Sequence, residues 1–103
     1  MLALGSIEGF EWDAGNRGKN LKHGVSDGEA EQIFFCEVLL LLEDPRHSAT
    51  EQRYHALGRT TDGRHLHVTF ALRDRGSRIR VISARAMHGK ERVVYEAKAK
   101  EAP

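Results

Sequence analysis

The sequence predicts an α+β domain with two short N-terminal helices, a four-stranded and mainly antiparallel sheet, and a C-terminal helix. Three observations predict this class: a helix-capping sequence at Ser26, alternating apolar and polar residues over 65–73, and turn sequences on both sides of that alternation. At 103 residues the chain supports one domain with its own core. We expect a flexible leader over residues 1–9 and a single domain over residues 10–103.

The helices are predicted from their end signals. An N-cap at Asp13 and a stop at Gly24 delimit a short first helix. The capping box Ser26-x-x-Glu29 begins a second helix, because each side chain bonds the other residue's backbone N–H. A final helix is expected over about residues 88–100, and its thin apolar stripe of Val93, Val94 and Ala97 indicates that it docks lightly or belongs partly to a partner.

The strands follow from apolar runs and alternation. The predicted strands are residues 38–42, 52–60, 65–73 and 78–86, and a short additional strand over 10–12 is a candidate. The continuous apolar run of the first of these four indicates burial on both faces. A two-residue turn in the last hairpin would pair Ala71 with Arg80 and Thr69 with Ile82.

The loop between the two central strands decides which residues share a face. A two-residue loop would turn Arg53 and His55 toward the apolar face, which is costly for a charged group. A three-residue loop with Gly63 in the left-handed conformation avoids this, and places Arg53 level with Ala71 and Arg80. Two guanidinium groups would then flank one small residue and leave room for a phosphate.

Charge is distributed unevenly along the chain. Residues 1–45 hold 3 Lys or Arg against 9 Asp or Glu, and residues 46–103 hold 13 against 6. A basic half suggests a polyanionic partner, usually nucleic acid, and an acidic half can complement a basic protein. A solvated charged surface accounts for the asymmetry equally well.

Several function classes lack their sequence patterns. The single cysteine, Cys36, excludes an internal disulfide, and no P-loop, dinucleotide or Gly-x-Ser-x-Gly motif is present. The longest apolar run is too short to span a bilayer and no signal-peptide pattern opens the chain, so we expect a cytoplasmic protein. His55, His65 and His67 are possible metal ligands, but no Cys pair or HExxH supports them, and we expect no metal and no cofactor.

The chain has the groups that cutting RNA without a metal requires. Such a reaction needs a base for the 2′-hydroxyl, donors that stabilise the phosphorane, and an acid for the leaving oxygen. Arg53 and Arg80 are candidates for the donors, because a guanidinium binds phosphate in bidentate fashion. His23 is a candidate acid, because a helix C-terminus favours imidazolium. The full predicted set is His23, Arg53, Arg80 and Arg85 as catalytic residues, with Lys22, His55, His67 and Arg73 as substrate contacts.

Each candidate also has a structural interpretation. Strand arginines are often solvated or paired with carboxylates. His23 can cap the last carbonyls of its helix, and Lys22 can complement the helix dipole. Arg85 can tie the end of its strand to Glu91 or to the early helices.

These residues occur in an order and spacing that resembles the BrnT family, toxins of bacterial type II toxin–antitoxin pairs. The resemblance covers about residues 10–96. The matching segments are Phe10–Asp13, Asn20, Lys22–Ser26, Glu29–Ala30, Phe34–Phe35, Glu51-x-Arg53-Tyr54, Ala56–Thr60, Ile79–Arg85, Lys90–Arg92 and Tyr95. One residue fewer separates Asn20 from the Lys22-His23 pair than in the family pattern, which would rotate His23 by about 100° in an α-helix.

The resemblance implies a fold similar to RelE-type ribonucleases and metal-independent RNA cleavage that inhibits translation and growth. It implies neutralisation by a BrnA-like antitoxin, a homodimer within a heterotetramer, and contact with operator DNA only through the antitoxin. Lys22, His23, Arg53, Arg80 and Arg85 fall on family-pattern positions. The alternative hypothesis is a non-catalytic binding or corepressor subunit of such a complex. Direct DNA binding is disfavoured, because no recognition helix with clustered Arg and Lys is visible.

Overall fold

The computed structural model describes residues 4–47 and 51–101, and it is an α+β fold built on one five-stranded sheet. The strands are β1 (Gly9–Phe10), β2 (Leu40–Asp44), β3 (Arg53–Arg59), β4 (His65–Arg73) and β5 (Arg78–Ala86). The helices are α1 (Asp27–Gln32) and α2 (Gly89–Glu101), with 3₁₀ helices at Lys19–His23, Ile33–Phe35, Pro45–His47 and Asp74–Gly76. The strand order is β1-β5-β4-β3-β2, in which β1 pairs parallel to β5 and the other pairs are antiparallel.

The predicted α+β class is confirmed, and two of its details are wrong. The sheet has a fifth strand, because β1 pairs with the start of β5. The first predicted α-helix is absent from the described residues, and a 3₁₀ helix begins at Lys19 instead, after Gly18 at φ 69°. Its stop at Gly24 is confirmed, with φ 74°. Residues 1–3 lie outside the described part of the chain, so the leader over residues 1–9 stays a prediction.

The capping box gives α1 as predicted. Ser26 Oγ accepts from Glu29 N–H at 3.1 Å, and Glu29 Oε1 accepts from Ser26 N–H at 3.0 Å. In contrast, β2 is an edge strand in which Leu42 is exposed, so its predicted burial on both faces is wrong. A continuous apolar run therefore did not distinguish an edge strand from a central one.

The register of the central strands is confirmed. Gly63 adopts φ 84° in the loop, Arg53 pairs with Ala71, and Ala71 pairs with Arg80. Thr69 pairs with Ser83 rather than with Ile82 as expected, because a β-bulge leaves Ile82 as an extra residue. Since the bulge inverts the alternation of β5, it places Arg85 on the same face as Arg80.

One face of the sheet carries the core. Leu66, Val68 and Phe70 are fully buried and pack against α1 and the 3₁₀ helix that follows it. Phe34 meets Phe70 edge to face with ring centroids 5.0 Å apart. Helix and sheet approach so closely at Gly58 that an added Cβ would lie 2.9 Å from Ile33 Cβ.

Helix α2 covers one end of the opposite, polar face of the sheet. Its buried residue Tyr95 donates a hydrogen bond to the Val38 carbonyl at 2.7 Å and stacks edge to face on His65. Val93 and Val94, which belong to the expected apolar stripe, are exposed, so the stripe does not dock α2 on the sheet. Polar contacts therefore hold α2 in place, and the other end of the polar face stays uncovered by it.

Two buried asparagines extend the pairing of the β5 edge beyond β1. Asn16 Nδ2 donates to the Val81 carbonyl at 3.0 Å, and Asn20 Oδ1 accepts from Ala84 N–H at 2.9 Å. These side chains occupy the edge where a neighbouring strand would otherwise bond. Unpaired strand edges invite association, so the two residues also protect the sheet.

We predict that Asn20→Ala lowers the free energy of unfolding by about 1–3 kcal/mol, because it leaves the buried Ala84 N–H without an acceptor. Urea denaturation measures the change, and Lys19→Ala, an exposed residue of the same 3₁₀ helix, is the control. Equal stability of the two variants would contradict this role for Asn20.

Candidate nucleic-acid interface

The uncovered end of the polar face is built on one row of paired residues. Asp44, Arg53, Ala71 and Arg80 follow one another across β2, β3, β4 and β5. Ala71 is fully buried, so the space expected above it is filled by neighbouring side chains. The two arginines lie two strand spacings apart, about 10 Å between their Cα atoms.

Arg80 is held by carboxylates from the segment after β1. Its two terminal nitrogens donate to the Asp13 carboxylate at 2.8 and 3.1 Å, and Glu11 lies 3.6 Å away. The hydrogen bond from Arg80 holds the pKa of Asp13 below its usual value, and the same bond raises the pKa of Arg80. A phosphate that bound Arg80 would therefore have to compete with Asp13, whose side chain is 54% exposed.

Arg73 and Arg53, the other arginines of this part of the face, differ in whether they have a carboxylate partner. Arg73 Nε lies 2.5 Å from Glu51 Oε2, and Glu11 lies between Arg73 and Arg80. Arg53 has no carboxylate within 4.0 Å among residues 4–47 and 51–101. Of the arginines in this part of the face, Arg53 is the one whose charge is available to an external anion.

Next to this row, a chain of hydrogen bonds crosses the sheet through two histidines. His55 Nε2 lies 2.8 Å from Asp44 Oδ2, and His55 Nδ1 lies 2.9 Å from His67 Nε2. His67 Nδ1 lies 2.8 Å from Glu91 Oε2. Thr69 Oγ1 also lies 3.0 Å from His55 Nδ1. The two imidazoles thus connect a carboxylate of the edge strand with a carboxylate of α2.

Charged neighbours stand at both ends of the histidine pair. Arg85 Nη2 lies 2.8 Å from His67 Nδ1, the same nitrogen that lies 2.8 Å from Glu91 Oε2. Burial lowers the pKa of His67, more than its hydrogen bond to Glu91 raises it. At the 2.9 Å contact between the two rings, one imidazole nitrogen donates and the other accepts.

Arg85 and Glu91 fix the start of α2. The two terminal nitrogens of Arg85 donate to Glu91 at 2.9 and 3.0 Å, and His88 N–H donates to Glu91 Oε1 at 2.9 Å. The hydrogen bonds from Arg85 are the largest cause that lowers the pKa of Glu91, to about 2. These contacts agree with a structural role for Arg85, in which it ties the end of its strand to Glu91.

His23 and Lys22 lie apart from the row that contains Arg53 and Arg80, and also from the contacts between Arg85 and Glu91. His23 Nδ1 donates to the Ala84 carbonyl at 3.1 Å, at the edge of β5, and its ring is exposed. Residues three apart in a 3₁₀ helix lie on the same side, so His23 and Asn20 both reach Ala84 and the rotation expected for an α-helix does not apply. The predicted site residues thus form three groups rather than one.

Comparison with known proteins places the chain in a family. A family model described as the ribonuclease toxin BrnT of a type II toxin–antitoxin system matches residues 12–91. The chain belongs to the BrnT family. Membership implies that it is the toxin of such a pair and has an antitoxin as its partner. No curated protein matches the chain. The matched segment includes Arg53 and both members of the Asp13–Arg80 and Arg85–Glu91 ion pairs.

Of the carboxylates on this surface, only Glu91 was expected from the sequence, as a partner of Arg85. Glu11, Asp13, Asp44, Glu51 and Glu91 each contact at least one of the predicted cationic residues. Glu11, Asp13, Glu51 and Glu91 belong to the family-like segments, and that recurrence was the available signal. Among the described residues no group of three His, Cys, Asp or Glu is arranged to hold a metal ion. No helix in residues 4–47 and 51–101 is long and apolar enough to cross a membrane.

We predict that Glu91→Gln destabilises the protein by about 2 kcal/mol at pH 7, because it weakens hydrogen bonds from a guanidinium and an imidazole. A carboxyl with a lowered folded pKa stabilises the protein above its unfolded pKa, near 4.5, and loses that effect as the pH falls toward about 2. The difference between wild type and variant should therefore shrink between pH 4.5 and pH 2.

Urea denaturation at pH 7 and at about pH 3 measures this difference, with Glu101→Gln at the exposed end of α2 as the control. A difference of the same size at both pH values would contradict the role of the Glu91 charge.

Proposed function

We propose that this toxin is a metal-independent endoribonuclease whose RNA substrate lies on the uncovered part of the polar face. The observation that carries the proposal is the side chain of Arg53, which lies on this face without a carboxylate partner among the described residues. A guanidinium binds phosphate oxygens in bidentate fashion and keeps its charge throughout the physiological pH range. Arg53 would hold the scissile phosphate and stabilise the charge that develops on it.

His55 is the proposed acid–base group beside Arg53. The two residues lie on the same face of β3, two positions apart, which is about 7 Å along the strand. The His55 side chain is 26% exposed, and Asp44 orients it. An imidazolium can protonate the leaving 5′-oxygen, and an imidazole can accept the proton of the 2′-hydroxyl. His67 lies behind His55, with its side chain 13% exposed, and would orient His55 rather than touch RNA.

The remaining predicted residues receive more distant roles. Arg80 and Arg73 would contribute phosphate contacts only where RNA displaces Asp13 or Glu51. His23 keeps Nε2 free while Nδ1 bonds Ala84, and with the exposed Lys22 it would bind RNA at the β5 edge. Arg85 would act by holding α2 against the sheet.

The biological setting follows from the family. We infer that cleavage inhibits translation and growth in the cytoplasm, and that a BrnA-like antitoxin neutralises the toxin. A toxin homodimer within a heterotetramer, bound to operator DNA only through the antitoxin, completes the proposal. A RelE-like fold is part of the same proposal.

A second function has its own support. Arg73, Arg80 and Arg85 are all paired with carboxylates, and paired arginines are typical of structural surfaces. A non-catalytic corepressor subunit would need no free cation on this face. Arg53 has no carboxylate partner among the described residues, which favours the nuclease. The cleavage assay below distinguishes the nuclease from the corepressor.

We predict that Arg53→Ala lowers the rate of RNA cleavage in EDTA by about 100- to 1,000-fold, because it removes a donor aimed at the phosphate. The assay follows a fluorescent oligoribonucleotide with toxin separated from its antitoxin. Arg53→Lys should retain part of the rate, since it keeps the charge and loses the planar fork.

Arg92→Ala, an exposed arginine of α2, is the matched control and should cleave as wild type does. Equal rates for Arg53→Ala and wild type would exclude Arg53 from the mechanism. Absence of cleavage by folded wild type would support the corepressor instead, and cleavage lost only in EDTA would contradict metal independence.

A further inference from the structure

An exposed aromatic ring stands on the side of the sheet opposite to Arg53. Phe35 ends the 3₁₀ helix after α1 and is 78% exposed, whereas its neighbour Phe34 packs inward on Phe70. The Phe35 ring touches Phe10 edge to face, with centroids 6.1 Å apart. A side chain this exposed adds little buried area to the core. It does extend the apolar surface of the clefts that adjoin it, and contiguous exposed apolar surface is typical of binding sites.

Two clefts adjoin Phe35, and we name the ring and both clefts the Phe35 ridge. The first has a volume of about 320 Å³, and its apolar lining includes Leu4, Ile7, Phe10, Phe34 and Ile79. The second has a volume of about 520 Å³ and lies on the other side of the ring, toward Cys36 and Thr60. The first cleft is large enough to take one large apolar side chain.

The chain segments that form the ridge are acidic. Residues 4–10 and 27–37 contain Glu8, Asp27, Glu29, Glu31 and Glu37, and neither segment contains a Lys or Arg. Glu29 pairs with Arg64, and Glu31 accepts a hydrogen bond from Trp12. Glu8 and Glu37 are exposed, and neither has a cation within 4.0 Å in the described part of the chain. Arg59 is the one cation among the described residues that line the two clefts.

The acidic charge of the Phe35 ridge indicates which kind of partner can bind there. RNA is excluded by repulsion between its phosphates and Glu8 and Glu37. A second copy of the chain on a two-fold axis would bring the same acidic residues against each other, which is also unfavourable. A basic protein segment with a large apolar side chain meets both features, as an apolar anchor with a complementary polar rim.

We propose that the Phe35 ridge is the docking site of a basic segment of the antitoxin. The segment places one large apolar side chain in the cleft beside Phe10, with Lys or Arg next to Glu8 and Glu37. The inference depends on the antitoxin partner in the proposed function. Because the ridge and Arg53 lie on opposite faces of the sheet, antitoxin docking and RNA cleavage depend on different residues.

The test separates docking from cleavage with the variant Phe35→Asp. The probe is the purified product of the open reading frame adjacent to this gene, and its affinity is measured by titration calorimetry. We expect Phe35→Asp to weaken binding by about 100-fold, through loss of a buried aromatic anchor and addition of a like charge. The rate of RNA cleavage should not change. Because Phe35 is exposed, thermal denaturation should show an intact fold.

Val93→Asp is the matched control, because Val93 is an apolar residue of α2 that is 70% exposed. It should bind the adjacent gene product within about threefold of wild type. The double variant Glu8→Lys with Glu37→Lys should bind about tenfold more weakly, because it reverses the rim charge.

Three results would overturn the docking site: wild-type affinity in Phe35→Asp, equal losses in Phe35→Asp and Val93→Asp, or no binding by wild type. Cleavage decides the nuclease separately. Phe35-dependent binding without cleavage by wild type would keep the docking site and remove the nuclease. RNA cleavage by wild type, together with binding of the gene product that does not depend on Phe35, would keep the nuclease and remove the docking site.

Discussion

Pairing between strand arginines and carboxylates controls what the polar face of this protein can do. Arg80 is committed to Asp13, Arg73 to Glu51, and Arg85 to Glu91. Each pair joins the sheet to a segment outside it: the loop after β1, the residues before β3, or the start of α2. The arginines therefore organise the fold, and an external phosphate would meet chiefly Arg53, the cation that this pairing leaves over.

The distribution of charge also differs between the two faces of the sheet. The acidic half of the chain supplies Glu11 and Asp13 as partners of Arg80, and it also forms the helical layer on the core face, around Phe35. The basic half forms β3, β4 and β5. A sequence whose net charge is only +1 thereby presents one surface suited to a polyanion and another suited to a polycation. Under the proposed function, RNA and the antitoxin would use these two different surfaces.

Local signals in the sequence predicted the parts of the fold that local physics determines. The capping box fixes the start of α1, and the cost of burying Arg53 fixes the loop at Gly63 and hence the register of β3. The bulge at Ile82 depends on contacts across the sheet, as do the carboxylate partners of the arginines. No spacing along the chain shows that Asp13 will meet Arg80, 67 residues away. The register that brings Arg53, Ala71 and Arg80 level was therefore predicted, but most of the carboxylate partners of the arginines were not.

Backbone and side-chain NMR of isotope-labelled toxin, titrated with a 2′-O-methylated RNA that resists cleavage, tests the central claim most directly. If RNA binds at Arg53, the largest chemical-shift changes will occur at the Arg53 Nε–H and at the amides of residues 53–55 and 69–71. No change is expected over residues 27–37. Shift changes confined to the acidic helical layer, or none at Arg53 while RNA binds elsewhere, would contradict that claim.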